Sequence, residues 1–266
     1  MKQTDITNTM NSLVPVLVTG AATALLTLFA RKFFQYEGIT NDVGIWGGFF
    51  TVFGVIYAIV AGFLLVEVLR RYSSLSNAIE AELNAVECLR DYLVYLDDEH
   101  HSEKCEILRT LADYLISIRQ NEWKEMSDQT SVVDSDTSEE LYAVMRAVKS
   151  IISKAGIDDV VLSALVAELS ATTVQRTLRI SLANQRLPIR LRVLLVFMGI
   201  VLSVGFLLVP VANLWVHLLM TTTLAMSVHL LSLIIDDLDH PFYGVWNLDH
   251  CALDQLIDRL QDQNAN

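Results

Sequence analysis

The stretch at residues 47–71 places the strongest constraint on how this chain can fold. It reads GGFFTVFGVIYAIVAGFLLVEVLRR, and its first charged residue is Glu67. A helix needs about 20 consecutive apolar residues to cross the hydrocarbon core of a bilayer, and residues 48–66 provide that length. They therefore predict a membrane-spanning helix. The polar, helix-periodic sequence that follows predicts that the helix continues into the cytosol.

Small and bulky side chains fall on different faces of this span, at about 100° per residue. The small residues let the backbone of another helix come close. They form a small row of Gly54, Ala58 and Gly62, with Ala61 beside it. The bulky residues face either lipid or a pore, and they end in an ionisable side chain at the membrane edge. This bulky row comprises Phe49, Val52, Ile56, Val60, Phe63 and Glu67.

The composition indicates several spans of this kind. Hydrophobic residues make up 53% of the 266 residues, and the mean hydropathy of +0.41 is too high for an ordinary soluble domain. Four windows are apolar and long enough, namely residues 12–30, 48–69, 191–209 and 214–235. The first is read as a retained span, because only Lys2 precedes it and no small-residue cleavage site follows it.

Basic residues near the span ends predict the orientation in the membrane. Those that flank the central segment are Arg70, Arg71, Arg186, Arg190 and Arg192. Arg31 and Lys32, after the first span, are the contrary evidence. The prediction is a multi-pass protein of the inner cell membrane, with both termini and the central segment in the cytoplasm. The net charge of -12 argues against a nucleic-acid partner, since that needs a basic surface.

The sequence predicts an all-α membrane protein with four transmembrane helices and a helical cytosolic domain between the second and third spans. Apolar residues recur every three or four positions through the central segment, and no strand pattern appears there. The predicted parts are an N-terminal membrane hairpin (1–71), a cytosolic helical domain (72–189), a C-terminal membrane hairpin (190–236) and an acidic cytosolic tail (237–266). Such a tail is ordinarily solvated.

The fourth span is more polar than a lipid-facing helix needs to be. Thr222, Ala225, His229, Ser232 and Asp236 share a face, and this face is expected to point into the bundle or into an aqueous cavity. Ionisable groups inside a membrane are costly, so His229 is a functional candidate. A hydrogen-bonded packing histidine is the equal alternative.

Catalytic and metal-binding patterns are weak. The pairs Asp239-His240 and Asp249-His250 follow no ligand spacing such as HExxH, which favours a structural or solvated role. We therefore predict no enzymatic activity and no metal site.

Two further groups of residues on the predicted cytosolic side are given no functional role. His100 and His101 lie in a polar turn, and the sequence predicts that they are solvated. The three cysteines are scattered, which indicates reduced thiols. They are Cys88, Cys105 and Cys251.

Four stretches carry a resemblance to a known family. They are TVFGVIYAIVAGFLLVEVLRRY in the second span, NEWKEM with Glu122 and Trp123, the Leu187-Pro188 pair, and LDHPFYG with Pro241, Phe242 and Gly244. They resemble the bestrophin-like membrane proteins of bacteria, a family of unknown function, over nearly the whole chain. More distantly the chain is similar to the bestrophin channels. That resemblance implies a pentamer whose second span lines a pore for inorganic ions.

The segment after the fourth span also resembles a Pro-Phe-Gly segment with acidic residues, where animal bestrophins bind calcium. Here Tyr243 separates Phe242 from Gly244, and Asp249 stands alone before His250. Calcium takes six to eight oxygens in a compact loop, which spaced aspartates do not guarantee. We predict no cofactor, with calcium at the acidic tail as the alternative.

Three functions remain open from the sequence. The first is a homo-oligomeric ion channel, whose partners are the lipid bilayer, further copies of the chain and inorganic ions. The second is a non-conducting membrane scaffold or signalling adaptor that acts through the cytosolic helices. The third is a transporter that works through His229 and Asp236. For Glu122 and Trp123, docking against a neighbouring helix is weighed against a plain packing anchor.

Overall fold

The structure is a computed structural model that describes residues 3–33, 43–127, 135–152, 158–209, 211–243 and 245–264. Its α-helices are α1 Gln3–Phe33, α2 Val43–Tyr92, α3 His101–Ser117, α4 Trp123–Ser127, α5 Ser135–Ile152, α6 Asp159–Ala183, α7 Ile189–Leu208, α8 Leu214–Asp239 and α9 Cys251–Asn264. Short 3-10 turns at Leu93–Tyr95 and Asp98–His100 follow α2. Within these ranges no residue lies in a strand, so the all-α prediction is confirmed.

Four of these helices are long and apolar enough to cross a membrane. They are α1, α2, α7 and α8, and they contain the four predicted spans. Many of their large apolar side chains are exposed, such as Leu17 at 61% and Trp215 at 77%. Exposed apolar surface on this scale is unfavourable in water, whereas lipid accepts it. The prediction of four transmembrane helices is confirmed.

Contacts divide the chain into two compact units, and the division falls inside α2. The first unit comprises Met1–Arg70 and Arg186–Asn247, and the second comprises Arg71–Gln185 and Leu248–Asn266. The two predicted membrane hairpins therefore belong to one unit. The end of the predicted tail belongs to the unit that contains the helices of the central segment.

In the first unit, α8 packs antiparallel to α1. The Oγ atoms of Thr27 and Thr221 lie 3.0 Å apart. A methyl group placed on Gly20 would lie 2.7 Å from the sulfur of Met226, so the glycine permits this close approach. Near the other end of the pair, Arg31 donates hydrogen bonds to backbone carbonyls just before α8 begins.

Helix α7 packs against both α8 and α2. The backbone carbonyl of Phe206 lies 3.3 Å from Nε2 of His217 on α8. The ring of Phe206 contacts that of Phe50 on α2, with centroids 5.6 Å apart. Glycines make the contact close, because a methyl group on Gly205 would lie 2.0 Å from Cε1 of Phe50. Pro210, which directly follows the predicted third span in the sequence, lies outside the described residues.

The second unit has its own apolar core, in which α3 is central and packs against α5 and α9. Its fully buried side chains lie at helical spacing along these elements. They include Ile107, Leu111 and Leu115 of α3, Val144 and Ile151 of α5, and Leu260 of α9.

Helix α9 corrects the prediction of a solvated acidic tail. Leu253, Leu256 and Leu260 are buried at 4% exposure or less, and their spacing of three and four puts them on one face. The same helix carries Asp254, Asp258 and Asp262, and the acidic charge of the segment led the sequence analysis to overlook its apolar face. The segment is a packed amphipathic helix.

The turn before α3 gives a second correction. His100 was predicted to be solvated, but it is buried at 8% exposure. Its backbone N–H donates to the carbonyl of Asp97, which closes the 3-10 turn and folds the histidine inward. His101 is exposed as predicted.

Candidate functional site

The bulky row on α2 is uncovered within one chain. Phe49, Val52, Ile56 and Phe63 are 51%, 63%, 48% and 73% exposed, while Val60 and Glu67 are half-buried. A different face of α2 is buried, and its residues follow one another by seven, four, three and four positions. They are Phe50, Tyr57, Ala61, Leu64 and Val68. Packing inside the chain therefore leaves the bulky row free to face lipid or other copies of the chain.

The bulky row ends in an ion pair at the membrane edge. Arg70 donates to the carboxylate of Glu67 from Nε at 3.1 Å and from Nη2 at 3.0 Å. Both side chains retain exposure, 25% for Glu67 and 67% for Arg70. The apolar part of the row can exclude water, and the charged end can act on ions that approach it.

The small row is also unpacked within one chain. A Cβ atom built on Gly54 or Gly62 would meet no described heavy atom within 4 Å, and Ala58 is exposed. Its neighbour Ala61 is buried at 1% exposure. Contact of this row with another helix stays a prediction.

The polar stripe on α8 makes separate local contacts. Ser232 donates to the carbonyl of Val228 at 3.0 Å, one turn earlier. Asp236 accepts a hydrogen bond from Arg192 at 2.6 Å. Nε2 of His229 is buried and has no partner among the described residues. The structure does not bring His229 and Asp236 into one site.

Two of the resembling motifs meet at Asp239, which sequence reasoning left as structural or solvated. Its carboxylate accepts the backbone N–H of Leu187 at 2.8 Å and Nη2 of Arg192 at 3.2 Å. Arg186 donates to its backbone carbonyl at 2.7 Å. Asp239 is only 5% exposed, so it joins the start of α7 to the end of α8 as a structural residue.

The neighbouring Asp237 fixes the turn after α8. Its two carboxylate oxygens accept the backbone N–H groups of Val245 and Trp246, both at 2.9 Å. Pro241 and Phe242, in the same turn, are buried. Gly244, the remaining residue of this predicted motif, lies outside the described residues.

A buried network of charges in the second unit was missed by sequence reasoning, apart from Glu122. Arg179 donates to Glu82 from Nε at 2.6 Å and to Glu122 from Nη2 at 2.5 Å. Arg176 donates to the other oxygen of Glu122 at 2.6 Å, and the hydroxyl of Tyr114 donates to Glu82 at 2.5 Å. Two carboxylates face two guanidinium groups, so the charges balance within the buried network.

Two groups of this network, Tyr114 and Arg179, have a raised pKa. Burial raises the pKa of the Tyr114 hydroxyl well above its usual value, and the charge of Glu82 adds to that effect. Burial by itself would lower the pKa of Arg179, but Glu82 and Glu122 outweigh it, and the net shift is upward. Both shifts favour the protonated hydroxyl of Tyr114 and the charged guanidinium of Arg179, whose pKa values are raised.

A signal for this network was present in the sequence. Glu82 stands between Leu75 and Leu89 on the apolar stripe of α2, and all three are buried. A charge at a core position of an amphipathic helix must be paired, because an unpaired buried charge is very costly. The partners could not be named, because they lie on other helices.

Glu122 reaches the network through a local distortion. Residues Ile118–Glu122 form a π-helical segment between α3 and α4. Such segments are single-turn bulges and are frequent at functional sites. Trp123 follows, is buried at 8% exposure and packs edge-on against His250, with ring centroids 6.2 Å apart. This contact agrees with a packing anchor.

The acidic residues near α9 are engaged in structural contacts. Asp249 accepts the backbone N–H of Cys251 at 3.0 Å. Asp254 accepts Nε of Arg119 at 3.0 Å and lies 2.6 Å from Nδ1 of His250. No group of three or more His, Cys, Asp or Glu side chains in the described part of the chain has a metal-binding arrangement. The absence of a cofactor stays a prediction.

Comparison with known proteins identifies the relatives of this architecture. The family model of the bestrophin-like domain matches residues 17–253. The crystal structure of a bacterial bestrophin homolog from Klebsiella pneumoniae superimposes with a TM-score of 0.79, at 14% identity over 94% of this chain and 99% of its own. A variant of that homolog with one substitution gives a TM-score of 0.79 at 15% identity, over 94% and 99%.

A third crystal structure, of a variant described as a membrane protein, gives a TM-score of 0.79 at 13% identity, over 96% of this chain and 100% of its own. No curated protein matches the chain. At these identities the structural likeness establishes the fold alone. The match of the family model covers most of the sequence and is the finding that assigns the family.

Proposed function

Because this chain belongs to the bestrophin-like family, we propose that it is a homo-oligomeric ion channel whose second span lines the pore. The observation that supports this most is the bulky row on α2. Packing within the chain buries another face of the same helix and leaves Phe49, Ile56 and Phe63 exposed.

The proposed pathway forms when several copies place α2 around a common axis. Rings of Ile56, Val60 and Phe63 would then form an apolar constriction, and such constrictions gate by dewetting. The ion pair of Glu67 and Arg70 would lie at the cytosolic mouth and bias the ions that enter. Exposed bulky residues also suit lipid. The family assignment favours the pore.

The proposed assembly is a pentamer, by resemblance to the bestrophin channels. The small row supports close contact between copies, because Gly54, Ala58 and Gly62 are uncovered within one chain. Small residues let two helix backbones approach closely in a membrane.

The proposed location is the inner cell membrane, with the termini and the central segment in the cytoplasm. Support comes from the arginines at residues 70, 71, 186, 190 and 192, which flank the central segment. Family membership supports ion conduction and not catalysis. The transporter alternative has less support, because Asp236 pairs with Arg192 whereas Nε2 of His229 has no partner among the described residues.

The test is single-channel recording of the purified protein in planar bilayers. Ile56→Ala and Phe63→Ala widen and partly hydrate the constriction, so both are expected to raise conductance. Val55→Ala is the matched control, since Val55 is 55% exposed on α2 but lies about 105° away from the centre of the bulky row. It is expected to leave conductance unchanged.

The same recordings separate the channel from the scaffold. Light scattering first establishes that each variant assembles as the unmodified protein does. Correctly assembled protein that fails to conduct, in both unmodified and alanine forms, overturns the channel and favours a scaffold or adaptor. Equal effects of Val55→Ala and Ile56→Ala on conductance would indicate that the bulky row faces lipid and not the pore.

A further inference from the structure

An open pocket of about 320 Å³ lies in the first unit, between the beginning of the apolar stretch of α1 and the end of α8. Its wall is apolar and belongs to the predicted membrane spans. The wall residues are Leu13 and Pro15 of α1 with Leu230, Leu233 and Ile234 of α8. Both helices leave the apolar region here, so the pocket lies at the boundary between hydrocarbon and head groups.

The rim of the pocket is polar and held in place by hydrogen bonds. Asp237 accepts the N–H groups of Val245 and Trp246, which positions the turn that closes the pocket. Tyr243 and Trp246 line the rim and are 67% and 52% exposed. Exposed tyrosine and tryptophan at the end of a span are typical of the membrane interface.

The charge of the rim is acidic. Asp236 and Asp237 line it, and no lysine or arginine does so among the described residues. Arg192 pairs with Asp236 but is shared with Asp239, and the side chain of Asp236 remains 52% exposed. His240 has its Nδ1 turned to the carbonyl of Asp236 at 2.7 Å. A ligand that brings a cationic group to this rim is favoured over an anionic one.

We propose that this pocket binds one acyl chain of a membrane phospholipid whose amine-bearing head group, as in phosphatidylethanolamine, lies at the acidic rim. Pockets that hold small ligands begin at about 300 Å³, and this pocket of about 320 Å³ is near that lower bound, so we assign to it a single acyl chain. The ammonium group donates hydrogen bonds towards Asp236, while the phosphate stays on the solvent side. A membrane lipid is the fitting occupant because the wall opens between two spanning helices.

The test is native mass spectrometry of the purified protein after removal of co-purified lipid. The protein is incubated with equimolar phosphatidylethanolamine and phosphatidylglycerol, and bound lipid is counted per subunit. We expect phosphatidylethanolamine to bind about threefold more, which is the size of one partly exposed charge contact. Equal binding of the two lipids, or a preference for phosphatidylglycerol, overturns the proposal.

Two variants separate the pocket from ordinary lipid contact along the spans. Ile234→Trp fills the pocket and is expected to abolish the preferential binding. Leu219→Trp makes a similar enlargement on α8 at a position that is 67% exposed and outside the pocket, so it is expected to have no effect. Loss of the preference in both variants, or in neither, contradicts a site at the pocket.

The charge contact has its own variant. Asp236→Asn removes the exposed carboxylate, while Arg192 keeps Asp239 as a partner. We expect the two lipids to bind equally to this variant, with the total number of bound lipids retained. An unchanged preference would show that Asp236 does not recognise the head group.

Discussion

Arg70 lies one helical turn after Glu67 and holds its carboxylate with two hydrogen bonds, of 3.1 and 3.0 Å. The proposed pore therefore ends in a pair of opposite charges and not in a ring of carboxylates alone. Replacement of either residue by a neutral one leaves a net charge at this mouth, positive without Glu67 and negative without Arg70.

For Glu67→Gln we expect the reversal potential in a salt gradient to shift towards that of anions, because Arg70 keeps its positive charge. For Arg70→Gln we expect a shift towards cations. The double variant restores neutrality and is expected to lie near the unmodified protein. Recordings in asymmetric potassium chloride check all three. If the conducting variants all have the reversal potential of the unmodified protein, the pair of Glu67 and Arg70 does not lie in the ion pathway.

For Arg179→Leu we expect a loss of about 3–5 kcal/mol in the free energy of unfolding, since it leaves the carboxylates of Glu82 and Glu122 buried without their main partner. The thermal midpoint should fall by roughly 10 °C. Arg146→Leu is the control, because Arg146 is an exposed arginine on α5 and its loss should have little effect. Equal thermal midpoints for Arg179→Leu and Arg146→Leu would show that the buried network does not stabilise the fold.

For Ala58→Leu we expect a smaller oligomer with intact single-chain packing. Ala58 is exposed within one chain, so leucine fits there, but it would overpack a contact between copies. Ala22→Leu repeats the change at an exposed position of α1 and serves as the control. Light scattering in detergent measures the mass of the oligomer. An unchanged mass for Ala58→Leu would indicate that the small row faces lipid and not another copy.

For Gly205→Ala we expect a change in the packing of the single chain and not in the contact between copies. The free energy of unfolding should fall by about 1–3 kcal/mol. The added methyl group would lie 2.0 Å from Cε1 of Phe50, so the ring must move. Gly48→Ala is the matched control, because Gly48 belongs to neither row of α2 and a Cβ there meets no described atom within 4 Å. Thermal unfolding compares the two, and equal midpoints would contradict the packing of α2 on α7.

For the orientation we expect a cysteine at Thr40 to react with an impermeant maleimide in intact cells. Thr40 lies outside the described residues and is placed by the sequence alone, in the loop after the first span. The unmodified protein is the control. Its exposed Cys88 and Cys251 should react only after the cells are permeabilised. Labelling of these native cysteines in intact cells would show that the predicted orientation is wrong.

The sequence alone predicted the helices that cross the membrane, because that prediction needs only local information. The span in α2 is recognisable from its length and lack of charge. The resembling stretches named the family before any contact was known. The same kind of reasoning failed at α9, where a count of aspartates concealed the buried Leu253, Leu256 and Leu260.

Only the tertiary structure decided which face of α2 packs within the chain and which charges are buried. The sequence predicted that the small row of the second span packs against another helix, but Phe50, Tyr57 and Leu64, which belong to neither row, are the residues that are buried. Glu82 and Arg179 are 97 positions apart in the sequence, and no local period can relate them. Helical periodicity gives the direction of a side chain about its own axis, whereas the partner it meets depends on how distant helices come together.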